Sequence, residues 1–321
     1  MQTNNEINKR VVVKLGTNLI TSDSIGINRG LLESLVNQIA KVRSNGTQLL
    51  IVTSGAVGAG REVIKKIGTS RNFGHKSIVQ KQALAAVGQT QLMLTYEHFF
   101  AKHNISVAQA LISRGDLINR VGYLNARNTL ESLLEIGIVP IINENDVVAV
   151  EELEGIVYGD NDRLSAMVAN AVDADLLILL GEVDGLYTSD PHDNPDAVLV
   201  KTVDEITIEM EEQARGSHDG IGSGGMISKL QAAKLATSSG ISMVIASGSK
   251  ENIVERVCRG DAIGTRFTAR LSKIEARKRW IITGITENHG SLTIDKGAEN
   301  ALKQSGVSLL PAGVIEVHGI F

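Results

Sequence analysis

The chain has 321 residues, 43% hydrophobic and 21% charged, with a formal net charge of −4. That length holds one large domain, or a large one and a small one, and the acidic balance excludes a general attraction to nucleic acid or anionic membrane. The lone Cys258 excludes an intramolecular disulfide framework; with no signal-peptide core near the start and no run of roughly 18 apolar residues, a cytoplasmic protein without membrane spans is expected.

Apolar strand patterns alternate with helical ones along most of the chain. Strands are expected at Val11–Leu15, Leu49–Thr53, Ser106–Ile112, Ile138–Ile142, Leu176–Leu180 and Ser242–Ala246. Helices are expected at Arg29–Ser44, Ile78–His103, Gly122–Glu135, Asp162–Val172, Met226–Ser239 and Glu251–Arg259. The strands are continuous apolar runs, as in parallel sheets buried on both faces. They predict an α/β fold, a three-layer αβα sandwich around a mostly parallel sheet. Ligands of such sheets sit beyond the carboxyl ends of the strands.

The first strand ends in Lys14-Leu15-Gly16-Thr17-Asn18. Such a lysine reads either as a solvated rim residue or as an ammonium facing a negative partner, because an unpaired buried charge is costly, and Gly16 lets backbone N–H groups approach an anion. The second strand runs into Ser54-Gly55-Ala56-Val57-Gly58-Ala59-Gly60-Arg61. Those small residues make either an anion pocket opening a helix or a tight turn whose glycines serve packing; the strict dinucleotide fingerprint is absent. Tyr123-Leu124-Asn125-Ala126-Arg127-Asn128 opens an amphipathic helix whose polar groups read equally as surface or as site. After the fourth strand, Asn143-Glu144-Asn145-Asp146 suits a polar substrate such as an amino acid, or Asx-turn chemistry. Val147–Val150 and Ile156–Tyr158 read as a hairpin flap around Glu151–Gly155.

Asp160-Asn161-Asp162 opens the next helix. Capping by Asp160 or Asn161 accounts for part of this run, but two carboxylates flanking an amide exceed what a cap needs. Asp162, in the first turn, is placed to hold lysines by charge-assisted bonds. The fifth strand leads to Gly181-Glu182-Val183-Asp184-Gly185-Leu186-Tyr187, a polar turn that reads either as a contact for a nucleotide base and ribose or as an ordinary exposed loop. The glycine run Gly220 to Lys229 enters an alanine-rich helix, and its flexible backbone, the helix N-terminus and Lys229 in the first turn suit a second phosphate grip. It is not a Walker A motif.

From Arg266 the character changes. Arg266, Arg270, Lys273, Arg277, Lys278 and Arg279 mark a basic linker, followed by strand-like Trp280–Ile285 and Ser291–Ile294, a helix near Ala298–Gln304, and Gly313–Val317. This β-rich module, below about 50 residues, is short for a core of its own. The chain stops at Ile320-Phe321 within a strand-like run, so an incomplete module is expected. The expected boundaries are 1–268, a linker at 269–276, and 277–321.

Two lysines on glycine loops, a carboxylate able to bridge them and a small-residue anion pocket suit phosphoryl transfer, where catalysis is mainly positioning and electrostatics. No Ser-His-Asp set or metal-binding histidine pair competes. A carboxylate acceptor is ionised at pH 7 and needs no general base.

The runs VVVKLGTNLIT, IVTSGAVGAGR, LNARNTLESLLE, PIINENDVVAV, YGDNDRLSA, GLYTSDP and GSGGMISKLQAA follow one another over residues 9–268. They closely resemble the glutamate 5-kinase family of the amino acid kinase superfamily. The resemblance implies the amino acid kinase fold and ATP-dependent phosphorylation of the γ-carboxylate of L-glutamate, the first step of proline synthesis, with Mg²⁺. It also implies feedback inhibition by proline at or near the glutamate site, and a homo-oligomer, dimer or tetramer, is expected. Carried over by motif, Lys14 and Lys229 stabilise the transferring phosphoryl group and Asp162 orients both. Gly16 and Gly55 offer backbone N–H groups to the phosphate, and Ser54, Gly55, Asp146 and Asn161 bind glutamate. Lys14, Gly16, Gly181, Glu182, Ser223, Gly224, Gly225, Met226, Ile227, Ser228 and Lys229 bind ATP; no residue is assigned to the metal. Where the family usually has Ser or Thr followed by Asp, this chain has Gly181-Glu182. The tail resembles only the start of a PUA domain, a fold associated with RNA binding elsewhere, so RNA is not expected as a partner. The rival readings are a kinase for N-acetylglutamate or aspartate, and a nucleotide-binding regulator with an RNA-binding tail.

Overall fold

A computed structural model of the chain describes residues 9–22, 26–68, 77–148, 160–191, 193–216, 225–269, 290–305 and 309–319. The chain divides into two compact units, Met1–Ala276 and Arg277–Phe321.

The first unit begins with β1 (Arg10–Leu15), α1 (Thr17–Ile20), a small hairpin of β2 (Thr21–Ser22) and β3 (Gly26–Ile27), and α2 (Arg29–Ser44). It continues with β4 (Gln48–Val52), α3 (Ala56–Ile67), α4 (Ile78–Ala101), β5 (Val107–Leu111), α5 (Arg114–Ile118), α6 (Arg120–Glu135) and β6 (Val139–Asn143). It closes with α7 (Asp160–Ala171), β7 (Leu176–Gly181), β8 (Thr202–Val203), α8 (Ile208–Gly216), α9 (Met226–Ser238), β9 (Ser242–Ser247), α10 (Ile253–Arg259) and β10 (Thr265–Phe267). Each of the six main strands read from the sequence in this unit is present, its ends displaced by at most one residue.

Among the described residues these strands form an eight-stranded sheet, ordered β5-β6-β4-β1-β7-β9-β10-β8. The run from β5 to β9 is parallel throughout. β10 turns antiparallel to β9, and β8 is parallel to β10. Arg266, expected in a linker, is the middle residue of β10 and pairs with Val244, so the sheet extends into that basic run.

Strand side chains alternate between faces, and the alternation sorts the core into two layers. Val11, Val13 and Leu15 of β1 pack with Leu49 and Ile51 against α2, α4 and α10, through residues such as Leu35, Ile39, Tyr96, Phe100 and Val254. Val12, Leu50, Val52, Ile142, Leu177 and Leu179 face α6, α7 and α9, through Leu130, Leu164, Val168, Leu230 and Ala233. Helices therefore cover both faces of the sheet, the predicted three-layer sandwich. At β1 the order reverses: the chain goes first to β4 on one side and later to β7 on the other. Such a switch point opens a crevice beyond the strand ends.

Helices α3 and α4 meet at unusually short range. A Cβ on Gly60 would stand 2.0 Å from the Leu84 carbonyl oxygen, and one on Gly88 would stand 1.8 Å from that of Ala56. Only glycine fits at either position.

The second unit contains β11 (Gly290–Ile294), α11 (Lys296–Ser305), a 3₁₀ turn at Pro311–Gly313 and β12 (Val314–Gly319). The strands pair antiparallel with a bulge at Thr293/Ile294, and Asp295 caps α11 by accepting from the Ala298 amide at 2.7 Å. The expected strand at Trp280–Ile285 lies outside the described residues. Among those residues no helix is long and apolar enough to cross a membrane.

Candidate active site

Lys14 lies two residues beyond Val12, so it points to the same face, the one covered by α7 and α9. It sits in register with Val52 of β4 and Leu179 of β7, near the carboxyl end of the sheet's centre. Asp162, in the first turn of α7, is fully buried and receives it: Lys14 Nζ is 2.6 Å from Asp162 Oδ1. From the first turn of α9, Lys229 Nζ approaches the other oxygen at 3.6 Å, and the Ser228 hydroxyl donates to that oxygen at 2.8 Å.

Burial alone would push the Asp162 carboxyl up. The ammonium groups of Lys14 and Lys229, with hydrogen bonds from Lys14 and Ser228, outweigh it and hold the pKa below the usual carboxylate value. The helix N-terminus also favours an anion there. Two cations thus approach one anion, with both ammonium groups nearly buried.

A second cluster is neutral. Asn161 Nδ2 donates to Ser54 Oγ at 2.9 Å and lies 3.4 Å from Asn143 Oδ1. Asn143 Nδ2 in turn donates to Gln89 Oε1 of α4 at 2.9 Å. Alternation explains who meets whom: Ser54 continues the Leu50–Val52 face towards α7, whereas Asn143 follows Ile141 towards α4. Thr53, on the α4 side, pairs its hydroxyl with Tyr96 at 2.7 Å, and burial pushes that phenol up so that it stays protonated. Two buried atoms of this cluster, Gln89 Nε2 and Asn161 Oδ1, have no hydrogen-bond partner among the described residues. Such atoms cost about 1–3 kcal/mol each.

The structure brings Lys14, Asp162 and Lys229 into one centre and joins Ser54 to Asn161 beside it. Gly55 caps α3 with a left-handed φ of +92°, where a Cβ would stand 2.8 Å from Thr21 Cγ2. Glu182, just past β7, accepts from the Asn18 side chain at 3.1 Å. Asp146 is half-buried and opens the turn after Asn145. Gly225 caps α9, and Met226 and Ile227 form its opening turn. Ser223 and Gly224 lie outside the described residues, as does most of the expected flap.

Several residues make contacts other than those expected. The Gly16 amide, read as a phosphate donor, donates to the Leu180 carbonyl at 2.9 Å and joins β1 to β7. Ser228, read as an ATP contact, is buried; its hydroxyl serves Asp162, and its amide bonds the Gly225 carbonyl at 3.1 Å. Asn161 is not a cap, because α7 already includes Asp160 and the Asn161 amide reaches sideways to Ser54. Val147 and Val148 form a turn, not the start of a hairpin strand. Arg127 proves structural: its guanidinium binds the Ala171 carbonyl at 2.9 Å and Asp173 at 2.7 Å, fastening α6 to the end of α7. Gln89 was missed. Its one signal was a polar residue in line with the buried stripe Ala85, Gly88, Leu92, Tyr96.

Fold and paired lysines together define a three-layer α/β phosphotransferase. A model of the amino acid kinase family matches residues 9–247. The glutamate 5-kinase of Dehalococcoides mccartyi is 48% identical over 313 residues, spanning 98% of this chain and 82% of that protein. That of Moorella thermoacetica is 46% identical, spanning 98% and 80%. Among solved structures, an isopentenyl phosphate kinase matches with a TM-score of 0.54 at 22% identity, over 81% of this chain and 100% of that one. A UMP kinase from Bacillus anthracis matches with a TM-score of 0.53 at 18% identity, over 82% and 97%. These two share the fold. The chain belongs to the amino acid kinase family and, within it, to the glutamate 5-kinases.

Proposed function

We propose that the site transfers the γ-phosphoryl group of ATP to the γ-carboxylate of L-glutamate, giving glutamyl 5-phosphate for proline synthesis. The observation that carries the chemistry is the meeting of Lys14 and Lys229 on opposite oxygens of Asp162. In a loose phosphoryl-transfer transition state, charge spreads over the equatorial oxygens, and two preplaced ammonium groups stabilise it without reorganising. Asp162 holds their heads apart and oriented. The acceptor carboxylate attacks in its ionised form, so no residue need take its proton.

Glutamate binds on the Ser54–Asn161–Asp146 side, and ATP phosphates lie between β1 and the opening turn of α9. Magnesium enters with the nucleotide, since Mg²⁺ is commonly held by phosphate oxygens with few protein carboxylates. Asp162 is not a further ligand, because its oxygens face Lys14, Lys229 and Ser228. Among the described residues no group of three acidic, histidine or cysteine side chains forms a metal cage. Proline inhibition at or near the glutamate pocket, a cytoplasmic setting and homo-oligomeric assembly belong to the same proposal.

Trapping the acyl phosphate with hydroxylamine tests it. Glutamate and ATP are expected to give the hydroxamate, less of it when proline is added. Product from N-acetylglutamate or aspartate but none from glutamate would overturn the assignment.

A further inference from the structure

Gln89 belongs to no assigned site, yet it is buried in the middle of α4 and bonded into the neutral cluster. Its place along α4 is set by close packing. The residue before it, Gly88, is where α4 touches the backbone of α3, with no room for even a methyl group.

A carboxamide has a donor end and an acceptor end of nearly equal shape, so its sense is set by its neighbours. Gln89 Oε1 accepts from Asn143 Nδ2, which turns Asn143 Oδ1 towards Asn161 Nδ2. Asn161 Nδ2 also serves Ser54, so Asn161 Oδ1 faces away from both. That oxygen is buried and has no hydrogen-bond partner among the described residues. A buried acceptor of this kind calls for a donor brought by a ligand, and an ammonium group carries three N–H bonds and no acceptor.

We propose that Gln89 is a positioning residue for the amino-acid substrate: by fixing the sense of the Asn143 amide, and through it that of Asn161, it presents Asn161 Oδ1 to the substrate's ammonium group. The inference rests on the reading of this pocket as the glutamate site and adds which substrate group the amide chain selects. With the chain free to turn over, Asn161 would offer N–H to an ammonium, and the selection would be lost.

Two acids separate this role from general support of the pocket. Glutamate carries the ammonium group and glutarate, otherwise the same chain, does not; each is measured as substrate or as competitive inhibitor of hydroxamate formation. Gln89→Met removes the acceptor at similar volume and is expected to raise KM for glutamate about tenfold, roughly one hydrogen bond. The glutarate constant, KM for ATP and kcat should stay within about twofold, a change of only a few tenths of a kcal/mol. Gln89→Glu keeps an acceptor facing Asn143 and should restore most of the preference for glutamate. If Gln89→Met does not fold, Gln89→Ala, which admits water, is measured in its place. Equal weakening of both acids, an unchanged KM for glutamate, or failure of Gln89→Glu to restore the preference would overturn the inference. A wild-type enzyme that makes no product from glutamate would instead sink the functional reading.

Discussion

Consecutive residues at the start of α7, Asn161 and Asp162, enter clusters of opposite electrical character. Successive side chains on a helix point about 100° apart, so one turn of α7 serves both. Asp162 is surrounded by two ammonium groups and a hydroxyl. Asn161 meets a hydroxyl and the Asn143 carboxamide, which is bonded in turn to that of Gln89. The charged cluster meets a ligand whose charge grows during the reaction, where fixed cations are most effective. The neutral one discriminates through donors and acceptors left over after its internal bonds are made. One helix start therefore separates rate from recognition, and substitutions on the two sides should fail in different ways.

Asp162→Asn should have the largest effect. It leaves two nearly buried lysines without their anion, and removing one partner of a buried pair costs about 3–5 kcal/mol. Denaturant unfolding at pH 7 measures it. The pH dependence has a definite sign. The folded pKa of Asp162 lies below the ordinary 3.8, so its contribution is complete above that value and is lost as pH falls through the folded pKa. The stability gap between wild type and Asp162→Asn should be constant near neutrality and close below about pH 4. A gap that survives in acid would mean that shape, not charge, makes Asp162 necessary.

Lys14→Ala and Lys229→Ala come next. Each should lower turnover by about 10²-fold or more, the scale for losing an electrostatic stabiliser, with the circular dichroism spectrum unchanged. Normal rates would reduce the lysines to structural counter-ions of Asp162. Ser54→Ala should fail in the other way. It removes the acceptor of the Asn161 amide, so KM for glutamate should rise by up to about tenfold while kcat changes by less than about twofold. A fall in kcat comparable to that of the lysine variants would abolish the distinction between the clusters.

The charged cluster was legible in the sequence because charge is conspicuous against its surroundings. Lys14 ends an apolar strand, Lys229 follows a glycine run, and Asp162 begins a helix; each needs a partner once buried. The neutral cluster was only half legible. Ser54 and Asn161 sit beside strand and helix ends, but Gln89 lies mid-helix among Ala, Gly and Leu, and its partner Asn143 comes from a strand 54 residues away. The longer strands were found because they are apolar runs of five or six residues, whereas β8 and β10, with two and three, carry too little pattern to register. The glycines after β4 read as either an anion loop or a packing device. The structure assigns Gly55 to the turn and Gly60 to the contact with α4, a division that depends on a partner helix the local sequence does not name.

Gly181→Ala should have the smallest effect and is informative for that reason. Gly181 ends β7 beside the Lys229 side chain. A Cβ added there would meet Lys229 Cε at 3.8 Å, an ordinary van der Waals contact. The Gly181 carbonyl accepts from the Gly248 amide, a bond that a methyl group leaves intact. No left-handed backbone demands glycine here, since Gly181 is not among the positive-φ residues. Turnover and melting temperature should therefore stay within what about 0.5 kcal/mol allows, a factor of about two in rate. If Gly181→Ala instead costs as much as Lys229→Ala, the space beside the lysine is occupied during the reaction. The charged cluster would then recognise its ligand by shape as well as by charge, which the comparison assigns to the neutral side alone.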